Sequence, residues 1–227
     1  MNKTLLSVAF MMSLSLIFSV SCGNNLQTPS SALPTWKMGD TWITRVTWNG
    51  TYIFTATITG EEVINGTDCY IQKESISPTF EGLSEVTVNY DKSTGEKVER
   101  RYVATIINGT NLNVITSYHY PIIPNSLQIG TTWEETENTT STWSFMGQIQ
   151  TTSNIDNYTY HVVSVENVTV PAGTFTCFRI TKSRIINNVS SLYSTIWEAN
   201  ASIGHSIKTI INSSGMVGEL LSYPTRK

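Results

Sequence analysis

Beyond the first three dozen residues, apolar and polar positions alternate with a period of two. Phe54, Ala56 and Ile58 are separated by Thr55 and Thr57, and Val86, Val88 and Tyr90 by Thr87 and Asn89. Successive side chains of a strand point to opposite faces, so this pattern predicts half-buried β-strands. Thr, Val, Ile, Tyr and Trp are abundant, and β-branched and aromatic side chains suit a pleated surface. Turn signals punctuate the runs at Asn49-Gly50, Asn65-Gly66, Asp91 to Gly95, Asn108-Gly109, Ala201 to Gly204 and Ser213-Ser214-Gly215. About a dozen short strands result, and no stretch of ten residues keeps a helical period. The expected fold is all-β, with antiparallel meanders forming curved sheets or a half-barrel and little helix.

The chain also repeats itself. Met38-Gly39-Asp40-Thr41-Trp42 aligns with Ile129-Gly130-Thr131-Thr132-Trp133 at an offset of 91. Val63 to Tyr70, which contains Asn65-Gly66-Thr67-Asp68-Cys69, aligns with Val170 to Phe178, which contains Ala172-Gly173-Thr174-Phe175-Thr176-Cys177, at about 108. Gly95 and Gly204 stand at 109. Two similar halves are expected, residues 36–120 and 121–227, with an insertion of about 16 residues in the second copy near 134–158.

The first residues differ from all this. Lys3 precedes an apolar run from Leu5 to Val20, and Ser19-Val20-Ser21-Cys22 follows, the layout of an export signal over residues 1–21. The run is too short and Ser-rich for a membrane span. Its end resembles a prokaryotic lipoprotein signal, which implies that Cys22 takes a lipid and becomes the mature N-terminus; Ser19 departs from the usual aliphatic residue, and cleavage nearby as a soluble exported protein is the alternative. Residues 22–35 are polar with two prolines and read as a tether, able to span about 40 Å at 3.3 Å per residue. No other segment approaches a membrane helix, so the expected membrane contact is through the N-terminal lipid.

Composition narrows the function. Charged residues are 14% of the 227, against 59 Ser and Thr and 18 Asn, so the surface is amide- and hydroxyl-rich. Without the leader, 13 basic side chains face 17 acidic ones with no basic cluster, which argues against nucleic acid. Nine mature sequons, at Asn49, Asn65, Asn108, Asn138, Asn157, Asn167, Asn188, Asn200 and Asn212, suit a glycosylated exterior, although a chain this rich in Ser and Thr produces several by chance.

Trp36-Lys37-Met38-Gly39-Asp40-Thr41-Trp42 and Val168 to Ile180, with Val170-Pro171-Ala172-Gly173-Thr174-Phe175-Thr176-Cys177, resemble motifs of uncharacterised prokaryotic surface lipoproteins. The resemblance implies antiparallel β structure akin to the open half-barrels of lipoprotein carriers, and implies no activity. Pro171 fixes φ and Gly173 accepts a positive one, so the second motif reads as a tight turn.

No catalytic or metal motif surrounds His119, His161 or His205, which read as half-exposed strand residues. In Glu61-Glu62 and Glu134-Glu135 the neighbours point to opposite faces of a strand, so solvated edge charges are expected rather than an acid/base couple. No cofactor, metal or enzymatic activity is expected. Trp42, Val46 and Trp48 share a face, as core. Trp143, Phe145 and Met146 lie in the polar insertion, as a lid or a ligand contact. Cys69 and Cys177 hold matching places in the two copies, and the exported location permits a disulfide between them; two separate buried thiols are the equal alternative. Two functions compete: a binding module or carrier for a hydrophobic molecule, and a structural or adhesive protein meeting sugars or envelope components.

Overall fold

A computed structural model describes residues 36–78, 83–93, 97–106, 110–119, 127–145, 148–199 and 205–225. The leader, Cys22, the tether and Met146 lie outside the described residues. Among the described residues there are twelve strands: β1 Thr41–Thr47, β2 Thr51–Ile64, β3 Thr67–Ser77, β4 Leu83–Asp91, β5 Lys97–Ile106, β6 Thr110–His119, β7 Thr132–Phe145, β8 Gln148–Val170, β9 Gly173–Ile186, β10 Val189–Glu198, β11 Lys208–Ile211 and β12 Met216–Ser222. Each pairs antiparallel with the next, as the alternation and the short turns require. The curvature runs full circle: β1 pairs with both β2 and β12, so the meander closes into a barrel. Arg45 of β1 donates to Glu219 of β12 at 2.7 Å across that closing seam. At the β2–β3 turn Asn65 and Gly66 have φ of 49° and 85°, the mirror-image turn whose twist matches a right-handed hairpin.

The two halves share details beyond strand count. Gly39 and Gly130 have φ of 90° and 92°, a conformation favouring glycine. Gly39 N donates to Ile58 O at 2.8 Å, and Gly130 N to Val162 O at 2.9 Å. Just beyond those acceptors the pairing slips, at Ile58/Gly60 in β2 and at Val162/Ser164 in β8. Two residues of β2 and of β8 advance there against one of the partner strand, so β2 and β8 keep their buried parity while the partner reverses its face. Burial follows the reversal: in β3 it moves from Cys69 to Gln72 and Glu74, and in β9 from Phe175 and Cys177 to Ile180 and Lys182. The β7–β8 hairpin is the longer copy, 14 and 23 residues against 7 and 14 in β1 and β2.

This reversal sets the packing. Val168, Val170, Phe175 and Cys177, near the tip of β8–β9, join Trp36, Trp42, Ile58, Val86, Val88 and Tyr90 of the first half in one core. Ala172 N at that tip donates to Leu220 O of β12 at 3.2 Å, and the Phe175 ring meets Tyr223 edge-on at 5.8 Å. The turn motif thus packs on β12 of its own half and, through the shared core, on the first half. A second cluster holds Val46, Phe54, Ile211 and Met216, with Trp48 packed against it, and a third holds Leu127, Tyr158, Tyr160, Val162, Ile180 and Ile196. Trp42 and Val46 are buried as their shared parity predicted, but in different clusters.

Candidate functional site

The inner face of β7 carries Trp133, Glu135 and Glu137 at alternate positions. β8 sets Tyr160 opposite Trp133 and Tyr158 opposite Glu135, and β9 sets Lys182 opposite Tyr160. Lys182 is fully buried, and Glu135 and Glu137 are each 4% exposed. Its ammonium donates to Glu137 Oε1 at 2.9 Å and to Glu135 Oε1 at 3.4 Å, and lies 3.8 Å from the centre of the Tyr158 ring. The Tyr160 hydroxyl donates to Glu135 Oε2, and its ring stacks on Trp133 at 4.8 Å. Two residues further along β9 and β8, Arg184 pairs with Asp156, and both are partly exposed. A polar column of three acids and two bases therefore runs from the core toward solvent.

Burial governs its electrostatics. It pushes the Glu137 carboxyl up to about 8, against the pull of Lys182, with Glu135 adding to the rise. Burial alone would lower Lys182; the two carboxylates outweigh it and hold the ammonium above its ordinary value. The Tyr158 phenol is raised, by burial first and then by Glu137. A different polar set joins His205 of the second half to the first: His205 Nε2 lies 3.2 Å from Gln72 Oε1, Gln72 Nε2 donates to Glu74 Oε1 at 3.2 Å, and Arg100 lies 3.6 Å from Glu74.

These sites correct several expectations. Glu135 is not a solvated edge charge, because a closed barrel covers the face that alternation assigns to it. His205 is 3% exposed and belongs to no strand; it packs on Trp42 with ring centres 4.4 Å apart. Cys69 and Cys177 are both free thiols, so the anticipated disulfide is not made. They stand on β3 and β9, which are not neighbours in the ring, and each donates to a carbonyl of its own strand, Thr67 O at 3.3 Å and Phe175 O at 3.6 Å. Trp143 pairs in register with Leu112 and Gln150, and Phe145 with Gln148, on the β7–β8 extension. His161 is exposed on β8, and His119 pairs with Thr136. Sequence reasoning missed Glu137 and Lys182; the signal was the shared parity of Glu135 and Glu137 with Trp133. Among the described residues no group of three His, Cys, Asp or Glu could hold a metal, and no helix is long and apolar enough to cross a membrane.

Residues 84–204 match the model of a family described as DUF3108-like. The chain belongs to the DUF3108-like family. Comparison with curated proteins finds no match. Two solved structures are similar to this DUF3108-like chain over most of its length. One, from Parabacteroides distasonis and described as a lipoprotein, is 13% identical, covers 85% of this chain and 97% of its own, and has a TM-score of 0.36. The other, from Bacteroides fragilis and described as an exported protein with YmcC-like fold, is 9% identical, covers 85% and 98%, and has a TM-score of 0.39.

Proposed function

We propose that this chain is an extracytoplasmic, non-catalytic binding protein, anchored through a lipid on Cys22, that carries a hydrophobic molecule within its barrel. The observation that supports the reading most is the size of the ring. Eight strands enclose about as much space as side chains fill, whereas this ring has twelve, and among the described residues its apolar side chains gather in three clusters, two of them bridged by Tyr193. The matched turns and slips of the two halves further support an origin by duplication. The leader supports export, and the exposed sequons on hairpin turns, Asn49, Asn65, Asn188 and Asn212, are open to glycosylation in a host with the machinery.

Titration with the apolar fluorophore N-phenyl-1-naphthylamine tests binding. Saturable enhancement by the folded full chain, lost on unfolding, is expected; no enhancement at any protein concentration overturns the carrier. A structural or adhesive role is the second reading. It is favoured by the exposed Ile155 on β8 and Ile186, Val189 and Leu192 at the β9–β10 hairpin, which are 65%, 50%, 66% and 47% accessible.

A further inference from the structure

Two carboxylates converge on one ammonium in the second half. Glu135, Glu137 and Lys182 have side chains 5%, 5% and 0% exposed, so water cannot balance a surplus charge there. With both acids ionised the trio carries one uncompensated negative charge; with one proton retained it is neutral. Lys182 is the cation paired with both carboxylates. Tyr158 and Tyr160 face the trio from β8, and Tyr193 of β10 packs on Tyr158 at 5.6 Å. Arg184 of β9 is already engaged with Asp156 of β8, and Tyr118 stands opposite Glu137 in the register of β6.

We propose that this trio is a proton-dependent latch, which ties β7, β8 and β9 together while it keeps one carboxyl proton and releases that corner as the proton is lost. The retained proton belongs to Glu137, whose carboxyl is held near 8. The sign follows from linkage. A carboxyl raised in the folded state binds its proton more tightly there than in an opened one. Opening therefore becomes easier as pH rises from the ordinary carboxyl range, by up to about tenfold per unit, and levels off above about 8. The corner released is the one from which the long β7–β8 hairpin extends.

The test is amide hydrogen exchange of the full chain between pH 6 and 9.5, corrected for base catalysis. Segments 135–139, 156–160 and 182–185 should open more with each unit up to about 8 and then level, while Glu137→Gln gives a flat profile. Equal profiles in the two proteins overturn the latch. Should Glu137→Gln fail to fold, infrared titration of the unaltered protein decides: a neutral-carboxyl band present at pH 6.5 and gone by pH 9.5 supports the latch, and its absence at pH 6.5 refutes it.

Discussion

Replacing Lys182 by Met keeps most of the side-chain volume and removes the cation paired with Glu135 and Glu137. At pH 7 the folded protein must then either bury bare carboxylates or protonate them. Glu137 already holds its proton at that pH, so the added cost falls on Glu135. Protonating a glutamate with an ordinary value of about 4.3 at pH 7 costs about 1.4 kcal/mol for each of some 2.7 units, about 4 kcal/mol. Breaking a buried ion pair from one side costs roughly 3–5 kcal/mol, which agrees. Against a typical stability of about 5–15 kcal/mol this is a large loss. Urea unfolding followed by Trp fluorescence reads it directly. The diagnostic is pH: the variant's folded carboxyl is raised above its unfolded value, so the deficit should appear as pH climbs above about 4.3 and shrink to about 1 kcal/mol or less near pH 4.5. A deficit below about 1 kcal/mol at pH 7, or one that does not shrink in acid, refutes the reasoning. Adding Glu135→Gln and Glu137→Gln should recover much of the loss.

Two further outcomes follow from the same structure. Burial raises both thiols, Cys177 up to about 12, so with Cys22 lipidated neither should react with Ellman's reagent in the folded chain and both should titrate after denaturation without reductant; no thiol appearing then would mean a disulfide. Gly39→Ala and Gly130→Ala meet no atom within 4 Å, so each should cost only the backbone strain of a positive φ, about 1–2 kcal/mol, and the double variant the sum; a cost near zero in thermal unfolding would contradict the assigned turns.

Alternation made the strands legible, and Asn-Gly pairs made the hairpins legible, because both depend on residues a few positions apart. The matched turns at Gly39 and Gly130 were legible for the same reason. Closure was not: it rests on β1 meeting β12, a pairing between Val46 and Gly218 that no local pattern announces. Glu134-Glu135 illustrates the limit at the candidate site. Parity correctly sends the two to opposite faces, but only the closed ring makes the face of Glu135 an interior, and its partner Lys182 arrives from 47 residues away. His205 was misread because a connection between β10 and β11 carries it onto Trp42 of the first strand. The slips in β2 and β8 also hid the depth of burial at Cys69 and Cys177, since each reverses the face that a strict period of two would assign.

A barrel that holds a hydrophobic molecule is tested most directly by native mass spectrometry of the full chain, gently extracted from the cells that make it. The predicted spectrum carries a mass above that of the lipid-modified polypeptide, which leaves on collisional activation and proves to be an apolar or amphipathic compound. A spectrum of the bare polypeptide in repeated preparations, unchanged after incubation with a total lipid extract of the host, would contradict it.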